Sequence, residues 1–421
     1  MSGAALRSRP EPAALAAVIA LVGCGFARAE DAPLHGRLAV QEAGSFARDG
    51  SLDAALGLKD RDDVAGDLRL TWEPSRGPWS LQLHYDAQIA YGDSVALARA
   101  GSALPPAPPS TWLDMEGVLA DGGRAFGVQR IDRLALGYAN PDWVVRIGRQ
   151  ALTWGSGLVF RPMDLFDPFA PNATDTEYKP GADMAYVQRL FADGSDLQLI
   201  VVPRAPRAGE GVSADASSFA AHLHVRLLGH QTTWLVARDH GDWTGAIGVN
   251  GPLGEATWNV EVLPTRVKDG RTYVSALANA SDAVTLLRRN ATVFVEYFHN
   301  GFGMGDGAPF DAAHLPAALK DRLARGQLFS LRRDYLAGGA TIEATPLLNI
   351  SPTLILNLDD GSAFALLAAT YSLSDDLTLV AGAQAPLGAS GTEFGGLPLS
   401  PANPLTVAAP ARLYVQLRRY F

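Results

Sequence analysis

The densest set of residues able to do chemistry lies between positions 146 and 183. Arg146-Ile147-Gly148-Arg149-Gln150 is followed by Thr153-Trp154-Gly155-Ser156-Gly157, then by Arg161-Pro162-Met163-Asp164-Leu165-Phe166-Asp167-Pro168-Phe169, with Asp175, Glu177, Lys179, Pro180, Gly181 and Asp183 beyond. Arg149, Arg161 and Lys179 have counter-charges available in Asp164, Asp167, Asp175, Glu177 and Asp183. A loop carrying both signs can fold into a barrel mouth as a charge-paired constriction, where fixed charge selects ions. The same pairs can simply hold the loop shut, because charges removed from water need partners whatever the function. On a strand, Arg146 and Gln150 share one face. The neighbouring glycine permits a bulge that would re-aim Arg149 and Trp154.

Other reactive-looking residues lead to weaker chemistry. His222 and His224 alternate onto one strand face, but no further ligand is identified and a zinc site needs three or four. In Tyr297-Phe298-His299-Asn300-Gly301 the histidine lacks the serine that a lipid hydrolase places two residues later, since Gly301 stands there. Gly301-Phe302-Gly303-Met304-Gly305 lacks the lysine and hydroxyl of a phosphate loop, and no C-x-x-C-H haem signature occurs. No catalytic residue, metal or cofactor is expected, and the chain reads as a non-enzyme.

The elements that must position the 146–183 stretch are strands. Leu81, Leu83, Tyr85, Ala87, Ile89 and Tyr91 alternate with Gln82, His84, Asp86 and Gln88, and Leu68, Leu70 and Trp72 alternate with Arg69, Thr71 and Glu73. Phe219, Ala221, Leu223, Val225 and Leu227 interleave with His222, His224 and Arg226, and Val293, Val295 and Tyr297 with Phe294, Glu296 and Phe298. A period of two marks strands, and the polar series points to a lumen. Similar runs recur along the chain and give about 16 to 18 strands, with an even number favoured for a bacterial barrel. Asn140-Pro141-Asp142, Asp193-Gly194-Ser195, Asp239-His240-Gly241-Asp242 and Asp359-Asp360-Gly361 read as tight turns. Longer excursions cover 93–127, 151–181, 300–333 and 387–410, so short and long connections are expected to alternate between the two ends. The first long loop holds Pro105, Pro106, Pro108 and Pro109; the third holds a short helix with Leu315, Leu319 and Leu323 on one face, opened by Pro316 and closed by Gly326.

Both ends of the chain speak for a compartment. Arg7 and Arg9 precede an apolar run from Ala13 to Val22 and an Ala27-Arg28-Ala29 site, the pattern of a secretory signal peptide. Residues 1–29 are read as that peptide and 30–421 as one barrel domain, with cleavage after Ala29 expected over acylation of Cys24, the only cysteine. Removing three arginines and one glutamate takes the formal charge from −9 to −11, which argues against nucleic acid as a partner. No run reaches the roughly 20 apolar residues of a spanning helix. The last residues, Leu413-Tyr414-Val415-Gln416-Leu417-Arg418-Arg419-Tyr420-Phe421, alternate like a membrane strand and end on an aromatic residue.

That ending resembles the terminal strand of bacterial outer-membrane barrels, in which Phe421 would be the signal read by the barrel-assembly machinery. The R-x-G-R-Q strand, W-G turn and P-x-D-x-F-x-P loop at 146–169 resemble uncharacterised, porin-like families of Gram-negative outer-membrane barrel proteins. The resemblance implies an all-β fold, a transmembrane antiparallel β-barrel with long extracellular loops in the cell outer membrane. It further implies a channel or export conduit for a small or amphipathic solute or lipid-like cargo, with outer-membrane lipid around it. Arg146, Arg149, Gln150, Trp154, Arg161, Asp164, Asp167 and Lys179 are the candidate lumen or constriction residues. A plugged surface barrel that anchors polysaccharide or another envelope partner is the competing reading, and an outer-membrane enzyme ranks below both.

Overall fold

The period of two becomes a closed wall in a computed structural model, which describes residues 34–99, 111–206, 210–305, 310–311, 314–400 and 403–421. The signal segment, Cys24 and the proline cluster at 105–109 lie outside the described residues. Eighteen antiparallel strands form the barrel, each paired with its neighbour in the sequence. Closure comes from strand Leu34–Phe46, which pairs on one side with Asp60–Trp72 and on the other with Ala411–Tyr420. With no open edge, every strand finds hydrogen-bond partners inside the wall, which is the condition for crossing lipid.

The alternation sorts side chains as the sequence anticipates. On the last strand Leu413 and Val415 are about half exposed on the outside, while Tyr414 and Gln416 are buried inside. On strand Arg289–His299, Val295 and Tyr297 face out, and Glu296 and Phe298 are buried within. Phe421 completes the seam: its N–H and carbonyl bond Gly36 at 3.0 and 2.7 Å, and a side chain at Gly36 would occupy the space of the Phe421 ring.

The end where Leu34 and Phe421 lie carries only short connections, which identifies it as periplasmic. The opposite end carries the long loops, but short and long connections do not alternate strictly as expected. The tight turns at Asp239–Asp242 and Asp359–Gly361 belong to this extracellular end, and connections at 47–59 and 203–217 that the sequence reading passed over are long. The described parts of the 93–124 excursion carry regular structure. They contain helix Asp93–Arg99 and strand Glu116–Gly122, which pairs with the top of strand Ala125–Ala139 beyond the reach of Trp143–Gln150. The helix in the third long loop spans Ala317–Ala324, with Pro316 before it and Gly326 at a φ of 66° after it. Leu319 buries completely against Phe302, Met304 and Val267, so the helix packs on its own loop and on the neighbouring 267–271 turn at the extracellular end.

Candidate functional site

The 151–181 loop turns inward and runs along the inner wall. It leaves strand Trp143–Gln150 and first packs on the side of strands Asp196–Val202 and Ser218–Leu227. There Trp154 donates to Gln198 Oε1 at 2.9 Å and stacks on His222 at 4.8 Å, with Phe166 edge-on at 5.5 Å. It next reaches strands Ala256–Arg266 and Arg289–His299. Ser156 N–H donates to Glu261 at 2.5 Å, and the N–H groups of Leu158, Val159 and Phe160 donate to Glu296 at 2.6, 2.9 and 2.7 Å. Beyond that, Asn172 carbonyl accepts from Gln384, and the loop tip docks on the seam strands at Arg37. The return passes strand Ala125–Ala139, where Arg133 bonds the Lys179 carbonyl and Gly181 N–H donates to Asp132 at 3.2 Å. The loop is therefore a belt around the lumen, fastened at its start and finish by Lys179, whose ammonium bonds the Leu152 carbonyl and both Asp164 oxygens at 2.5 to 2.7 Å.

Three local features let the sequence fold this way. Gly155 sits at a φ of 87°, where a side chain is disfavoured. Gly157 has the Phe160 carbonyl where a Cβ would stand, so the turn that aims three successive N–H groups at Glu296 closes only with glycine there. Asp167 holds a φ of 54°, unusual for a residue with a side chain.

The candidate residues divide between lumen and wall. Arg146 and Gln150 do share the inner face: Arg146 lies over the Tyr186 ring at 4.7 Å, and Gln150 is buried with its amide 3.4 Å from the Met184 carbonyl. Trp154, Asp164 and Lys179 belong to the belt. Arg161 lies over the Phe169 ring at 5.7 Å. Arg149 is not a lumen charge. It stays on the outward face shared with exposed Ile147 and Leu134, in register with Leu134 and Asp183, and is covered by the segment at Leu113. Its guanidinium bonds Asp183 at 2.9 and 3.1 Å and the carbonyls of Ile131 and Leu113. These bonds stitch the wall where strand Trp143–Gln150 ends. Of the carboxylates in this stretch, Asp164 and Asp183 pair within it, with Lys179 and Arg149, whereas Asp175 and Glu177 go to Arg37.

Arg37 anchors a charged inner wall that the sequence reading missed. Arg37 is 4% exposed, and its guanidinium bonds Asp67 at 2.6 Å and both Asp175 and Glu177 at 2.8 Å. Arg418 adds longer contacts to the same two loop carboxylates, and Tyr178 lies across Arg37 and Arg69. Arg69 in turn pairs with Asp132 at 2.7 Å and Asp86 at 3.5 Å, and Arg130 with Asp86 at 2.9 Å. Asp132 is the extra residue of a bulge opposite His84 and Tyr85, which turns its carboxylate inward toward Arg69. The available signal was the alternation itself, which already put Arg69 and Asp86 on the polar face.

Burial shapes the titration of the belt. It pushes the Asp164 carboxyl up to about 6 and the Lys179 ammonium down, while each supplies the other's counter-charge. Burial likewise raises Asp167. Outside the belt, Glu393 of the last extracellular loop is raised to about 7 by burial, although it accepts from Tyr335 Oη at 2.5 Å, Asn357 Nδ2 at 2.7 Å and Leu331 N–H at 2.9 Å. Asp360 disfavours its charge and Arg332 favours it. The folded state therefore binds a proton below about 7 that the unfolded chain takes up only near 4.5. Its contribution becomes more favourable as pH falls from above 7 and levels off below the unfolded value. Thermal denaturation should show Glu393→Gln gaining on the wild type at pH 8 and losing that gain by pH 5; a pH-independent difference would contradict this.

Above the belt a cavity of about 390 Å³ opens against the seam strands. Arg61, Arg412, Asp63, Gln41 and Gln384 supply its polar side, and Ala65, Val95 and Phe364 its apolar side. Arg61 is engaged by Asp53 at 2.6 Å. Arg412 has no carboxylate within ion-pair distance among the described residues, and its Nε is buried without a hydrogen-bond partner.

A closed eighteen-strand wall with an apolar exterior and a charged, belted interior is a porin-like outer-membrane β-barrel. No family model matches the chain, and no curated protein matches it in sequence. Solved structures do. OpdK of Pseudomonas aeruginosa, determined with vanillate, aligns at a TM-score of 0.51 and 10% identity over 94% of this chain and 100% of its own. OccAB2 of Acinetobacter baumannii gives 0.51 and 9% over 92% and 98%, and a BenF-like porin from Pseudomonas fluorescens Pf-5 gives 0.50 and 9% over the same shares. At these identities the likeness is one of fold.

Proposed function

We propose that this barrel is a passive outer-membrane channel for small solutes, favouring those that join a negative group to an apolar body. The observation that carries the reading is the cavity in which Arg412, with its nearest counter-charge Asp63 held beyond ion-pair distance, faces Phe364, Ala65 and Val95. A guanidinium with no carboxylate in direct contact gains from an anion, and the apolar side accepts the remainder of an amphipathic solute. Vanillate, the molecule in the OpdK structure, has this chemistry, and it serves as a probe here. The channel needs no catalytic group, since passage down a gradient requires only a wet path and weak, reversible contacts. Its other partners would be outer-membrane lipid and the assembly machinery, which would read the strand ending at Phe421. The strand residues Arg146 and Gln150 and the belt residues Trp154, Asp164, Asp167 and Lys179 would line the narrowing, with Arg161 bracing it and Arg149 acting from the wall.

The competing plugged barrel draws support from the interlocked extracellular loops, in which Arg48 bonds the Pro386, Gly388 and Gly395 carbonyls at 2.8 to 3.0 Å. Liposomes bearing the purified barrel and loaded with vanillate should empty faster than those loaded with a neutral sugar of similar size. Equal rates would remove the preference for anions. Retention of both solutes would leave the anchoring barrel as the better reading.

A further inference from the structure

We propose that the extracellular rim of the outer wall, on the strands between Ser218 and Leu286, holds a phosphate-bearing, multiply acylated glycolipid of the outer leaflet. One row of register carries the site. Phe219, Arg238, Trp243, Arg266 and Thr272 lie side by side across five adjacent strands, all on the outward face. Trp243 is 55% exposed and flanked by the two arginines. Below the row the same face is apolar, with Trp234, Val236, Ile247, Val260 and Val262 each exposed to lipid.

The height of the row identifies what meets it. Ten residues separate Arg238 from the periplasmic tip at Leu228, or about 33 Å along the strand and roughly 25 Å along the membrane normal after the usual tilt, the height of a barrel's apolar band. Arg238 and Arg266 therefore stand where the wall leaves hydrocarbon for headgroups, with acyl chains below them and an aromatic plane between them. The charge balance favours an anion. Arg238, Arg266, Lys268 and Arg271 cluster around the row, whereas the carboxylates facing them are Asp215, which serves both Arg238 at 2.9 Å and Lys268 at 3.9 Å, and Asp269, which serves Arg271 at 3.6 Å. Arg266 has no carboxylate within ion-pair distance among the described residues. Four cations against two carboxylates leave a surplus on a protein that is negative overall. Phosphate groups held between two guanidinium forks, with the attached chains lying on the apolar columns, match this arrangement in charge and in polarity.

Native mass spectrometry of the whole detergent-released barrel, titrated with diphosphorylated lipid A, tests the site. The wild type should retain one lipid, and the Arg238→Ala/Arg266→Ala variant should need about tenfold more lipid for the same occupancy, the scale of a lost charge-assisted contact pair. Lysine at both positions should restore much of the retention, which separates lost charge from misfolding. Arg288→Ala/Arg289→Ala, at the periplasmic rim, should bind as the wild type does, and inorganic phosphate should not displace the lipid. Equal retention by the alanine variant, or equal retention of dephosphorylated lipid by the wild type, would overturn the proposal.

Discussion

Replacing Glu296 with alanine should detach the belt from the wall while leaving the barrel closed. Glu296 is fully buried and accepts from three successive backbone N–H groups of the loop, and from Asn279 Nδ2 at 3.0 Å. Removing the carboxylate strands these donors away from water, at about 1–3 kcal/mol for each donor that finds no replacement. The loop can recover part of that cost only by moving toward solvent in the lumen. Larger and noisier single-channel currents should follow, together with protease cleavage between Gly155 and Arg161, while heat-modifiable migration persists because no strand pairing is touched. Glu296→Gln keeps one acceptor oxygen and should fall between. Wild-type currents and protease resistance in the alanine variant would mean that Phe160, stacked on Phe298 at 4.7 Å, holds this part of the belt by itself.

Arg37→Ala should act on the opposite fastening and cost more stability. The substitution leaves Asp67, Asp175 and Glu177 without their shared cation in a site from which water is largely excluded. Breaking a buried pair from one side costs about 3–5 kcal/mol, and Arg418, at 3.7 and 3.8 Å from the loop carboxylates, offsets only part of it. The unfolding temperature in detergent should drop by several degrees, and the 172–179 segment should become accessible. Arg37→Lys should recover little, since one ammonium cannot span three carboxylates as the guanidinium fork does. A melting temperature equal to the wild type would show that Arg418 and Tyr420, whose hydroxyl donates to Glu177 at 2.9 Å, suffice.

The two fastenings also mark where sequence reading stops. The wall was legible because strand alternation is local: Leu81 to Tyr91 and Leu413 to Phe421 state their faces within a few residues. The Lys179–Asp164 pair was within reach for the same reason. Glu261 and Glu296 were not, because their partners lie more than a hundred residues away and are backbone N–H groups, which leave no trace in residue type. The turn at Leu287 and Arg288 was equally silent: both residues take positive φ, 50° and 64°, yet neither is glycine or asparagine. Arg149 was placed on the wrong side for a different reason. Gly148 does take a φ of 124°, but the strand keeps register on both sides of it, so Arg149 follows the simple alternation instead of being re-aimed inward.

The reversal potential of single channels under a potassium chloride gradient measures the proposed solute path past Arg412 most directly. The wild-type barrel should open in discrete steps with a potential displaced toward that of chloride, and Arg412→Ala should move it toward zero, because a fixed charge not directly paired weighs heavily in a narrow, poorly screened passage. A barrel that inserts without conducting, or an Arg412→Ala variant with unchanged selectivity, would contradict it.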